Sequence, residues 1–115
     1  MRFYQEAKEQ PTEEVLGVKH DQDKPDYTLV PYKALDEVVK VLTYGSKKYS
    51  RDNWRHVDPK RYEAAMMRHF SKYMQGEPID PETGYHHIAH MACSVLFLLE
   101  NELKKDAQEP KSGVY

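Results

Sequence analysis

From Ile88 to Leu99 the chain reads IAHMACSVLFLL, apolar but for His90 and Ser94. A helix that is apolar almost all round has to be covered on several sides, and this demand constrains everything else the chain does. The run is too short to span a bilayer, which takes roughly 20 residues. The whole chain has 115 residues, enough for one domain of the usual size. It reads as a single domain over 1–115, with an extended arm over 1–30, a helical core over 31–105 and a flexible tail over 106–115. The C-terminal helix is expected from about Glu82 to Lys105. Two short helices cannot enclose it, so the expectation is a homo-oligomer in which it packs against a symmetry mate.

The two earlier helices announce themselves by spacing. After Pro31, the apolar positions Ala34, Leu35, Val38, Val41 and Leu42 recur at helical intervals, predicting a helix from Tyr32 to Tyr44 with Gly45 as its C-cap. Asp58-Pro59 is an N-cap followed by a first-turn proline. From there Tyr62, Ala65, Met66, His69, Phe70 and Tyr73 trace one face, ending near Gly76. Met66, Met67, Met74 and Met91 read as core filler. The segment EPIDPETG (77–84) is a tight acidic turn, and Asp80-Pro81 repeats the cap-plus-proline signal with Glu82 favoured by the helix dipole. The predicted fold is all-α, a small bundle of about three main helices with an extended N-terminal arm.

Charge and cysteine usage narrow the function classes. Seventeen Lys and Arg against nineteen Asp and Glu leave a net charge of −2, which argues against a non-specific nucleic-acid binder. The lone Cys93 has no internal disulfide partner and lies in the apolar run, as a buried thiol in a reducing compartment would. The opening MRFYQEAKEQPTEE lacks an apolar signal core. The expectation is a soluble cytoplasmic protein with neither membrane nor nucleic acid as partner.

Two constellations carry possible chemistry. His87 and His90 share a helix face at i and i+3, and His69 lies on the apolar face of the preceding helix. With Asp80 these four are candidate ligands for a divalent metal, whether magnesium, manganese, zinc or iron. Asp80, Glu82 and Glu37 are the candidate catalytic carboxylates. The second constellation is YGSKKYSRDNWR (44–55). Lys47, Lys48 and Arg55 suit phosphates, as do Arg68 and Lys24 outside it, while Tyr49, Asn53 and Trp54 suit a base. Each has a plainer reading beside it. A histidine on an apolar face is commonly a hydrogen-bonded core residue, Asp80 a helix cap and Glu37 a boundary charge. Arg68 is equally a partner for Asp80 or Glu82, and Trp54 a plug in the core of a solvated loop. No glycine-rich phosphate loop, dinucleotide fingerprint or zinc-finger spacing is present.

Taken in order, K-x-D-x-x-K-P near the start, Y-G-x-x-K-Y-x-x-x-N-W-R, R-H, and G-E-x-x-D-x-E-T-G-x-x-H-x-x-H resemble the phage-encoded dATP/dGTP diphosphohydrolase N-terminal domain, from Val18 to about Leu99. The resemblance implies a deoxynucleoside triphosphate substrate, a divalent metal and release of pyrophosphate in the host cytoplasm. Helical pyrophosphohydrolases of the MazG type hold magnesium with E-x-x-E and E-x-x-D pairs. This chain departs from them, with Lys40 three residues after Glu37 and its E-x-x-D, Glu77 to Asp80, set across a turn. The departure points to a histidine-containing site. It also keeps two alternatives open: a viral protein that binds or sequesters nucleotides without cleaving them, and a helical oligomerisation module with no small ligand.

Overall fold

A computed structural model describes residues 16–108. It contains three α-helices, α1 (Tyr32–Lys48), α2 (Pro59–Met74) and α3 (His87–Gln108), with short 3-10 turns at Tyr27–Leu29 and Asn53–His56. The architecture is the expected all-α bundle. Among the described residues the extended backbone pairs only at one isolated antiparallel bridge, between Ile79 and His86. None of the helices is long and apolar enough to cross a membrane.

The start of α2 follows its sequence signal. The Asp58 side chain accepts the Lys60 amide at 3.0 Å and Pro59 fills the first turn, so one orphan amide is capped and one position needs no donor. The helix stops at Met74, and Gly76 takes a φ of 92° that bends the chain away.

Two boundaries differ from the sequence reading. Gly45 does not terminate α1, which runs on through it to Lys48, with the Gly45 carbonyl accepting the Tyr49 amide at 3.0 Å. An interior glycine costs a helix only about 1 kcal/mol. Here Lys47 and Lys48 in the last turn oppose that cost by meeting the negative end of the helix dipole. The other difference is larger. Asp80-Pro81 opens a reverse turn instead of a helix. The Asp80 amide donates to the Tyr85 carbonyl at 2.9 Å, the Gly84 amide to the Asp80 carbonyl at 2.7 Å, and the His87 amide to the Pro78 carbonyl at 2.9 Å. Gly84 turns the chain with a φ of 79°, a conformation glycine reaches without a Cβ penalty. These bonds engage the backbone of 78–87, so α3 begins at His87, five residues later than expected. At its other end α3 continues through 106–108, which the sequence reading assigned to the tail.

The helix α3 is the centre of the bundle. Helix α2 packs along it and α1 rests on it, while α1 and α2 scarcely meet each other. Val41, Ala89 and Cys93 form the buried centre, flanked by Val38, Leu42, Tyr85 and Phe97. Trp54, from the second 3-10 turn, stacks on Phe97 with ring centroids 4.5 Å apart, and Tyr62 of α2 meets the same ring edge-on at 5.0 Å. Met67 and Met74 are exposed, not core filler. So are Ile88, Val95, Leu96, Leu99 and Leu103, at 41–54%. The apolar helix is thus covered on two sides by its own chain and open on a third.

The described part of the arm, 16–30, has one 3-10 turn and is exposed nearly throughout. The Tyr32 hydroxyl donates to the Tyr27 carbonyl at 2.8 Å and ties that turn to α1.

Candidate functional site

The reverse turn at 77–86 folds its side chains against α2 and the first turn of α3. One ligand-capable atom from each of His69, Asp80 and His90 lies within 4.8 Å of the others. The His69 and His90 rings stack almost parallel, 4.4 Å apart at 4°. Asp80 is buried and fully engaged. One oxygen accepts the Glu82 amide at 3.1 Å, and the other accepts the Thr83 hydroxyl at 3.1 Å and lies 3.4 Å from His90 Nε2. Thr83 Oγ1 is also 2.8 Å from His90 Nε2. Asp80 therefore does cap backbone, but the backbone of a turn.

Burial dominates the protonation of this corner. It lowers His69 to about 4, helped by the neighbouring His90 and His87. It lowers His90 as well, against the upward pull of Asp80. At Asp80 burial works to raise the carboxyl, yet the Glu82 amide, the Thr83 hydroxyl and the two histidines together hold it below the ordinary range. At neutral pH the corner thus offers two neutral imidazoles and one carboxylate, the forms in which these groups ligate metal. Such a donor set suits zinc, manganese or iron better than magnesium, which prefers oxygen ligands. Each imidazole lone pair lies in its own ring plane, so an ion shared by both rings requires the parallel stack to tilt open.

His87 stands apart from this trio. Its ring is 3% exposed, and both nitrogens are taken: Nδ1 lies 2.8 Å from His69 Nδ1 and Nε2 lies 2.8 Å from Glu77 Oε2. The expected four-residue metal set therefore separates into three residues that face one another and a fourth held behind them. Sequence reasoning gave Thr83 no role and left Glu77 as half of an unused E-x-x-D pair. The only available signal was their position inside a Gly- and Pro-rich turn, which concealed how closely it would fold onto His87 and His90.

Against this corner opens a cavity of about 630 Å³. Asp80, Glu82, Thr83, His69 and His90 line one part, and Lys48, Tyr49, Asn53, Trp54 and Arg68 line the rest. Most of the two sequence constellations thus share one space. Glu82 is exposed at its edge. Arg68 lines the cavity and is not paired with Asp80 or Glu82. Lys47 lies in a neighbouring groove with Lys40, Tyr44 and Tyr85.

Besides His87 and Lys47, three more of the expected residues are outside the cavity lining. Lys24 is exposed on the arm. Glu37 faces water on α1, paired with Lys40 at 2.8 Å. Arg55 sits 4.4 Å over the Trp54 ring and reaches Asp52 at 3.2 Å and Glu100 at 3.9 Å. With Phe97 stacked on it and a guanidinium over it, the Trp54 indole is occupied by the protein itself. Tyr49, 65% exposed, lines the cavity with the Lys48 ammonium 5.4 Å from its ring centroid and, among the described residues, no aromatic neighbour stacked on it. Cys93 also lines it, but burial pushes its thiol up to about 12, and its Sγ is engaged by the Val38 carbonyl at 3.4 Å.

Residues 15–111 match the family model described as dATP/dGTP diphosphohydrolase, N-terminal. The chain is 37% identical over 103 residues to a dATP/dGTP diphosphohydrolase of Salmonella phage PMBT28, a match covering 87% of this chain and 36% of that protein. It therefore spans about a third of the length of that relative. No solved structure matches. With all the described residues inside the matched span, the chain belongs to the dATP/dGTP diphosphohydrolase N-terminal family.

Proposed function

We propose that this domain binds a purine deoxynucleoside triphosphate and hydrolyses it to the monophosphate and pyrophosphate, with a divalent metal held by His69, Asp80 and His90. The observation that carries this reading is the shared cavity of about 630 Å³, of a size usual for small-molecule sites. It is lined at one end by metal-ligand chemistry and at the other by cations and an exposed aromatic ring. The phage relative named for dATP and dGTP hydrolysis supports the substrate class. Bound there, the metal supplies Lewis acidity toward phosphate oxygens. The protein's own groups do the rest. Lys48 and Arg68 neutralise the triphosphate, Arg68 with the planar fork that grips two oxygens. Tyr49 presents its ring to the base and Asn53 its amide to the base edge. Glu82, exposed at the edge of the cavity, takes the proton of the attacking water.

The test is product analysis with purified protein, a panel of the four dNTPs, and magnesium, manganese, zinc or cobalt. Deoxyadenosine and deoxyguanosine monophosphates with pyrophosphate are the expected products. Nucleotide binding with no product under any of these metals overturns the hydrolase and leaves a sequestering protein. We propose further that the open ridge of Leu96, Leu99 and Leu103 on α3 is covered by a second copy of the chain, since apolar patches of this kind mark contact surfaces. Light scattering at micromolar concentration should give at least a dimer, and a clean monomer refutes it.

A further inference from the structure

We propose that Glu77 and His87 form a directional hydrogen-bond relay that keeps the proton of His69 on Nδ1 and leaves Nε2 as a bare lone pair for a ligand. The direction follows from counting protons along three groups in a row. An ionised carboxylate only accepts, so the 2.8 Å contact between Glu77 Oε2 and His87 Nε2 requires the proton to be on His87 Nε2. A neutral imidazole carries one N–H and one acceptor nitrogen, so His87 Nδ1 is then an acceptor. The 2.8 Å contact between the two Nδ1 atoms closes only if His69 donates. His69 is thereby held in the Nδ1–H tautomer, with Nε2 unprotonated.

Other features fit this role for His87. It is buried to 3%, packed at the first turn of α3, and its amide is held by the Pro78 carbonyl at 2.9 Å, so its ring has one place to be. Glu77 sits at the start of the reverse turn, just before Ile79, whose bridge to His86 closes the turn back onto α3. The turn therefore delivers Asp80 to one side of the histidine pair and Glu77 to the other. Carboxylate–histidine pairs that fix the orientation and tautomer of a metal-binding group are a general device, and removing such partners typically lowers metal affinity roughly 10- to 100-fold. Glu77 and His87 are positioning residues in this scheme, touching neither substrate nor metal.

The relay rests on the reading of His69 as a ligand for its purpose, but the tautomer is measurable without metal or nucleotide. Long-range proton–nitrogen NMR of histidine-labelled, metal-free protein at pH 8 should show His69 with a protonated Nδ1 and a bare Nε2, and His87 with the reverse. In Glu77→Ala, His69 should relax toward the Nε2–H form that imidazoles favour in water, with the backbone spectrum otherwise preserved. Glu77 is 41% exposed at its side chain, so this variant keeps the fold. The cobalt affinity of the same variant, followed by visible absorption, should fall roughly 10- to 100-fold. A wild-type His69 carrying its proton on Nε2, a doubly protonated His87, or a tautomer unmoved by Glu77→Ala overturns the relay even if the enzyme hydrolyses dNTPs. The predicted tautomers in a protein that binds no metal would leave the relay standing and sink the metal site instead.

Discussion

The histidine corner and the 48–55 segment face each other across one cavity and are built in opposite ways. In the corner the side chains of Asp80, Thr83, His90, His69, His87 and Glu77 all have partners. Asp80 holds an amide and a hydroxyl, His90 meets Thr83, and His69 meets His87, which in turn meets Glu77. Across the cavity, Lys48 and Tyr49 are exposed, and Lys48 lies only over the Tyr44 and Tyr49 rings. The difference is what two tasks require. Groups that must hold a reacting centre gain from being locked before substrate arrives. Groups that meet a highly charged ligand gain from staying hydrated and adaptable until it does. The contrast predicts that changes on the corner side alter rate, and that changes across the cavity alter affinity or, at Trp54, stability.

The largest effect is expected at Asp80. Asp80→Asn keeps the size and much of the turn hydrogen bonding but removes the charge shared by both histidines. Hydrolysis should fall by more than the roughly 100-fold typical of outer-shell changes, while nucleotide affinity measured by calorimetry changes far less. Equal losses in both would erase the division between the two sides.

Across the cavity, Trp54 and Tyr49 should part company. Trp54→Ala removes the ring that stacks on Phe97 at 4.5 Å. For a half-buried aromatic this should cost about 2 kcal/mol of stability, below the full value for buried rings. Tyr49→Ala should leave the urea midpoint within about 0.5 kcal/mol and weaken nucleotide binding by about 1–3 kcal/mol if the ring stacks on a base. If Tyr49→Ala unfolds more readily and Trp54→Ala binds more weakly at unchanged stability, the two assignments are reversed.

The corner also carries a pH signature of its own. His69 titrates near 6.5 when unfolded and at about 4 when folded. A depressed histidine contributes nothing adverse above pH 6.5, where both states are neutral. Between pH 6.5 and 4 the unfolded chain takes up a proton that the folded one refuses, so stability falls across that window and levels below it. Burial lowers the ring most, His90, His87 and Arg68 push it the same way, and Asp80 opposes them. After discounting for partial exposure the loss should be about 1–2 kcal/mol. Urea titrations of metal-free protein from pH 7.5 to 4.5 measure it, and a His69→Gln variant should flatten the slope. A wild-type midpoint constant across that range is the contrary result.

How far the sequence was legible depends on distance along the chain. Periodicity located α1 and α2, and Asp58-Pro59 marked its helix start to the residue, because those signals act over a turn or two. Gly45 misled because a glycine's cost is small beside the packing of the helix it interrupts. Asp80-Pro81 misled for a better reason: cap-plus-proline reads the same before a helix and before a reverse turn. The decision belonged to Gly84, Tyr85 and the Pro78 carbonyl, whose bonds form only once the chain has doubled back. The three facing residues His69, Asp80 and His90 could be gathered by type, but the separation of His87 from them depended on a contact with Glu77 ten residues earlier. The face of Trp54 that is lost to the core likewise follows from Phe97, more than forty residues on.

The smallest effect is expected at Glu37, and it tests the boundary of the site. Its carboxylate is about half exposed and pairs with Lys40 across one helical turn, as an i,i+3 surface pair. Such pairs contribute only about 0.3–0.5 kcal/mol, and Glu37 is absent from the cavity lining. Glu37→Gln should therefore shift the unfolding midpoint by no more than about 0.5 kcal/mol and leave both dNTP affinity and turnover as they were. Steady-state kinetics beside the Asp80→Asn protein make the comparison direct, since both replace a carboxylate with its amide. Glu37 is not among the charges that act on His69 or His90. Loss of turnover in Glu37→Gln with the fold intact would thus require a second copy to bring α1 over the cavity. It would move the edge of the site from the single chain to the oligomer.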